Sequence, residues 1–138
     1  MRLISLVILL IPALSFAADG FQDNVSETAF SGVYDCKGSD PYLKKDYTGV
    51  VTVVQQNSVY RLEMNYDTGE KYVGTGGQYN PTLMFVAFQD IKNPHLVGLE
   101  QYTLTKDKNT IQGYWVYLKQ DKLGSEVCKR RVKRGQVA

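Results

Sequence analysis

From Thr48 onward, apolar and aromatic residues recur at every second position within short segments, and polar links separate the segments. That period puts alternate side chains on opposite faces of an extended strand; a helix would need a spacing of about 3.6 residues. The candidate strands are Phe30 to Lys37, Thr48 to Gln55, Val59 to Tyr66, Lys71 to Gln78, Thr82 to Gln89, Leu96 to Thr105, Thr110 to Lys119 and Ser125 to Val132. No segment carries the pattern of a long amphipathic helix. The links "QNS", "YDTGE", "YNPT" and "KDKN" place Asn, Asp, Gly or Pro where the chain must reverse, because these residues tolerate positive φ or preset the turn. Links this short join sequence neighbours as antiparallel pairs.

The amino terminus bears on compartment. In "MRLISLVILLIPALSFAADG", Arg2 precedes an apolar run over residues 3–11, and Ser15-Phe16-Ala17 offers a small-x-small cleavage pattern. This is the layout of a signal peptide. Pro12 interrupts the run well short of the roughly 20 residues that span a bilayer, and no later stretch is apolar for long enough to cross. The chain is therefore expected to be periplasmic or secreted, with a signal peptide over 1–17, an N-terminal arm over 18–29, a β-barrel domain over 30–132 and a basic tail over 133–138.

Export gives meaning to the two cysteines, Cys36 and Cys128, which lie 92 positions apart. An exported chain with two cysteines makes one disulfide most economically. Eight antiparallel strands form either a sandwich or a closed meander, and in a closed meander the first strand lies antiparallel beside the eighth. A bridge between those strands closes the seam. The expected fold is an all-β, eight-stranded antiparallel up-and-down β-barrel.

The stretches "SGVYDCKG", "YRLEMNYDTGEKYVGTGGQYNPTLMFVAF" and "GLEQYTLTKDKNTIQGYW" give the chain a strand rhythm and glycine placement that resemble the small calycin-type barrels, the assembly containing lipocalins and avidins. The resemblance covers most of the mature chain at superfamily level. Lipocalins usually carry Gly-x-Trp on the first strand; here Gly32-Val33-Tyr34 stands there, and the one Gly-x-Trp is Gly113-Tyr114-Trp115. Avidins line their pocket with several tryptophans, and this chain has one. The resemblance implies the architecture and the binding of a ligand or partner, and no family residue carries over.

In a barrel, alternation sorts the side chains. Tyr60, Leu62, Met64 and Tyr66 share one face and are expected to point inward; Ile111, Gly113, Trp115 and Tyr117 do the same on the seventh strand. The sixth strand reads either way, and the reading favoured here leaves Glu100 outward on a solvated face. Tyr60, Met64, Trp115 and Tyr117 are the candidate residues for holding a small apolar or aromatic ligand.

Other chemistries find little support. His95 is the sole histidine and lies in a turn, which excludes a multi-histidine metal site. Spending both cysteines on a disulfide leaves no thiol nucleophile. No acidic pair stands on an evidently shared inward face, and "GTGG" over 74–77 precedes a strand, whereas a phosphate loop precedes a helix. The glycines are read as permitting a bend or bulge. No enzyme activity, cofactor or metal is expected. Lys129, Arg130, Arg131, Lys133 and Arg134 form a basic cluster that could grip an envelope or host polyanion. Nucleic acid is not the expected partner, since the chain is exported and no aromatics interleave the cluster. The competing reading is a solvated end that discourages strand pairing.

Two functions follow. The many large inward candidates favour a filled barrel that acts as a protein-interaction module, inhibitor-like in one version, on an unknown envelope or secreted protein. The alternative is a carrier for a small apolar or aromatic ligand in the barrel interior.

Overall fold

The computed structural model describes residues 29–132. The expected signal peptide (1–17), residues 18–28 of the expected arm and the expected tail from 133 onward lie outside the described residues. The strands run in chain order as β1 (Gly32–Asp40), β2 (Lys45–Gln56), β3 (Val59–Tyr66), β4 (Lys71–Asn80), β5 (Leu83–Asp90), β6 (Val97–Leu104), β7 (Thr110–Tyr117) and β8 (Gly124–Arg130). Each pairs antiparallel with its sequence neighbour, and β8 pairs with β1 to close the barrel. This is the architecture that the periodicity and the short links dictate.

The seam holds the bridge. Cys36 lies directly opposite Cys128 in the β1/β8 register, and the two are joined as a disulfide. In the chain-entropy description, a loop of this length is worth about 4 to 5 kcal/mol. The turns follow local chemistry. Asn57 (φ 55°) reverses β2 into β3, and Gly69 (φ 86°) serves β3 and β4. In "KDKN" the positive φ falls on Lys108 (58°), because the Asp107 carboxylate accepts the Thr105 hydroxyl and the Asn109 N–H and so fixes the turn around it. The "GTGG" glycines work mainly by close approach. A Cβ at Gly74 would meet Val86 at 2.8 Å, and the bulge comes just after them, between Gln78 and Asn80.

Alternation places the expected sets inside. Tyr60, Leu62 and Met64 of β3 and Ile111 and Trp115 of β7 belong to the buried core, with Tyr66 and Tyr117 packed against it. On β6 the orientation is the reverse of the sequence expectation: Glu100, 4% exposed, points inward with Gly98, Tyr102 and Leu104. Burying Tyr102 and Leu104 commits the whole period-two set, so the carboxylate goes in with its neighbours.

The two ends of the barrel differ. Where β3 begins and β8 ends, Phe30 enters the barrel fully buried and packs edge-on against Tyr60 at 6.0 Å between ring centroids. The Tyr34 hydroxyl donates to the Phe30 carbonyl at 2.9 Å. Arg130 donates to the carbonyls of Ala29, Ser31 and Lys108 and lies over the Tyr34 ring at 5.0 Å. The residues leading into β1 thus plug this end.

Candidate functional site

The opposite end, where β3 ends and β4 begins, is open. Its cavity is walled by Tyr47, Tyr66, Tyr72, Phe88, Trp115 and Tyr117, floored by Met64 and Glu100, and rimmed by Asp40, Lys45, Asp46 and Glu70. A water molecule can be centred over about 40 Å³ of it, and the atom-free space, solvent at the mouth included, is about 530 Å³.

Cross-strand register shapes the wall. Four of its rings stand opposite a glycine on the neighbouring strand and lie over it: Tyr47 over Gly38, Tyr66 over Gly49, Phe88 over Gly98 and Trp115 over Gly124. A Cβ at any of these glycines would lie only 2.0 to 2.3 Å from the ring. Each ring therefore lies back over bare backbone, the aromatic rescue of a strand glycine. Large side chains that would otherwise fill the lumen are held against its wall, and the mouth stays open.

Beneath the rings lies a buried acidic pair. Glu100 of β6 and Glu126 of β8, 4% and 2% exposed, flank Gly113 of β7 from either side. A Cβ at Gly113 would fall 2.5 Å from Glu100 Oε1 and 3.1 Å from Glu126 Cγ, so the missing side chain lets the two acids approach. Glu126 is well partnered: Tyr102 donates to Oε1 at 2.6 Å, and Tyr47 and Tyr66 each donate to Oε2 at 3.2 Å. Trp115 Nε1 donates in turn to the Tyr47 hydroxyl at 2.8 Å. Among the described residues, Glu100 Oε1 is the buried side-chain polar atom that has no hydrogen-bond partner.

The electrostatics follow from this geometry. Burial, reinforced by the charge of Glu126, drives the Glu100 carboxyl well above the usual range. Burial also raises Glu126, but the phenol hydrogen bonds from Tyr102, Tyr47 and Tyr66 pull it back. Of the two, Glu100 therefore holds the proton, and Glu126 is better furnished to carry charge. Tyr47, Tyr66 and Tyr102 are held above the ordinary phenol value, by burial first and by the acidic pair second. Cys36, Cys128 and Glu126 converge, but both sulfurs are committed to the disulfide, so this trio offers a metal no thiolate.

Of the candidate ligand residues, Met64, Trp115 and Tyr117 line the cavity together. Tyr60 does not, because it lies at the start of β3, at the plugged end, where its hydroxyl donates to Gln78 at 2.9 Å. The basic cluster is described only in part. Lys129 is exposed, Arg130 is engaged in the plug, Arg131 pairs with Asp35 at 2.7 Å, and Lys133 and Arg134 lie outside the described residues. Exposed His95 occupies the loop between β5 and β6. Glu126 escaped the sequence reading although a signal existed: with Cys128 facing inward, the residue two places before it shares its face.

No protein-family model matches the sequence, and no curated protein sequence matches it either. Solved structures of the same fold do. A redesigned beta barrel superposes with a TM-score of 0.64 at 10% identity, covering 75% of this chain and 93% of that one. The redesigned beta barrel mFAP1, bound to DFHBI, gives a TM-score of 0.60 at 9% identity over 75% of this chain and 95% of its own. A de novo designed fluorescence-activating beta barrel gives a TM-score of 0.52 at 13% identity over 75% of this chain and 94% of its own. These likenesses establish the eight-stranded closed antiparallel barrel.

Proposed function

We propose that this protein is an exported, non-enzymatic barrel that binds a small ligand with aromatic character in its open end. The observation that carries the reading is the glycine-backed wall: four rings drawn back over Gly38, Gly49, Gly98 and Gly124 around a cavity that reaches a buried carboxyl. An apolar, aromatic-lined concavity with a few convergent polar groups is the usual form of a small-molecule site. Designed barrels of the same fold hold the aromatic ligand DFHBI, which supports the capacity of such a frame to seat an aromatic guest. A binding role fits better than hydrolysis, since both oxygens of Glu126 are engaged by phenols. The leader with Arg2 and the disulfide support placement in the periplasm or outside the cell.

Trp115 supplies the test. Titration with a panel of small aromatic compounds that includes DFHBI is expected to shift or quench its emission saturably, with one ligand per barrel. A flat response across the panel would overturn the reading.

One observation favours a second reading, contact with a protein. Phe85, Leu99 and Tyr114, on the adjacent strands β5, β6 and β7, are 48%, 51% and 56% exposed on the outer wall, and clustered exposed apolar residues suit a partner. Crosslinking in an envelope extract that depends on Leu99 and is lost in Leu99→Glu would support this reading; crosslinking unaffected by the substitution would remove it.

A further inference from the structure

Proposing an aromatic ligand leaves the polar floor of the cavity unexplained. Glu100 is nine-tenths buried and more, lines the cavity, and has an oxygen without a partner. A purely apolar guest would seal that oxygen away from water without satisfying it, which is costly. An anionic guest would face two carboxyls and a rim in which Asp40, Asp46 and Glu70 outnumber Lys45. A cation meets the opposite conditions at every level of the site. The rim attracts it, the π-faces of Tyr and Trp rings favour it within a few ångströms, and the floor offers an acceptor.

We infer that the ligand is a small organic cation, an ammonium group on an aromatic or short apolar frame, with the ammonium seated on Glu100 beneath Tyr47, Tyr66 and Trp115 and the frame lying in the mouth beside Tyr72 and Tyr117. The inference rests on the reading of the open end as a small-ligand site. The dimensions agree with it. The space in which a water can be centred, about 40 Å³, exceeds the roughly 10 to 15 Å³ that one water requires, so the site has room for an ammonium head. The array from Trp115 through Tyr47 to Glu126 anchors the second carboxyl, so that the incoming charge is countered by Glu100 as it gives up its proton.

That proton adds a signature. The titratable groups facing Glu100 are Glu126 from β8, Tyr47 from β2, Tyr66 from β3 and Tyr102 on its own strand, with Asp40, Asp46, Glu70 and Lys45 at the rim. Seating a cation displaces the proton held on Glu100, so binding releases a proton and tightens as pH rises above the ordinary glutamate range.

Calorimetry with matched pairs tests the inference. In each pair an aromatic amine is set against the analogue in which a methyl group replaces the ammonium, beginning with tyramine and 4-propylphenol. The amines are expected to bind at least about tenfold more tightly than their neutral analogues at pH 7.5 and to release a proton on binding. In Glu100→Gln, with the fold verified by circular dichroism, the preference should fall to about twofold or less. Equal or tighter binding of the neutral members would overturn the cation while leaving the aromatic-ligand site standing. Saturable binding by no member of any pair would remove both.

Discussion

The two ends of the barrel use the same residue types to opposite effect. At the plugged end, Phe30 enters the lumen, Tyr60 meets it edge-on, and the Arg130 guanidinium ties the incoming chain down through the carbonyls of Ala29 and Ser31. At the open end, rings of comparable size stand opposite glycines and lie back against the wall. Aromatic content therefore does not determine whether a small barrel is filled. What differs is where the ring lies: at the open end four rings lie over the glycine they face, whereas Tyr60, which faces Gly76, does not lie over it and packs against Phe30. The expectation of a filled interior holds for one half of this molecule.

The largest expected effect is at the plug. Phe30→Ala should cost about 3 to 5 kcal/mol in denaturant unfolding and leave ligand affinity in the folded fraction unchanged. A comparable loss of affinity would mean that the two ends are not separable. At the open end, Gly113→Ala inserts a methyl 2.5 Å from Glu100 Oε1. Overpacking of that kind should cost about 1 to 3 kcal/mol and, unlike the plug variant, weaken ligand binding by forcing the acids apart. Equal affinity in Gly113→Ala would break the claim that this glycine shapes the site.

The smallest effect is one of pH. Both acids titrate above the ordinary glutamate value of 4.5 in the folded barrel, so the native state keeps protons that the unfolded chain has released. The stability they confer is complete below that value and is lost as pH rises through the folded-state values. Glu100→Gln removes the major contributor, so the variant should gain on wild type progressively in urea unfolding as pH rises above the ordinary glutamate value of 4.5. A gap that stayed constant with pH would place the charge elsewhere.

The fold was legible because it rests on local and near-local signals. Period two, short links and a cysteine on each of the terminal strands converge on a closed meander, and the inward sets on β3 and β7 could be read directly from Tyr60, Leu62 and Met64 and from Ile111 and Trp115. The site was only half legible. Met64, Trp115 and Tyr117 were placed correctly by alternation, but alternation cannot say at which end of the barrel a residue sits, and Tyr60 went to the other. Glu100 was misread because a carboxylate is costly to bury alone, and the groups that surround it, Gly113, Glu126 and Tyr102, are assembled by register across three strands.

The most direct test of the difference between the ends is residue-resolved NMR of the ¹⁵N-labelled protein during titration with tyramine. The account predicts saturable shifts of the amides of Gly38, Tyr47, Gly113, Trp115 and Gly124 and of the Trp115 indole, with Phe30, Tyr60 and Leu104 at the plugged end unmoved. Shifts centred on Phe85, Leu99 and Tyr114 of the outer wall, or spread evenly over both ends, would contradict it.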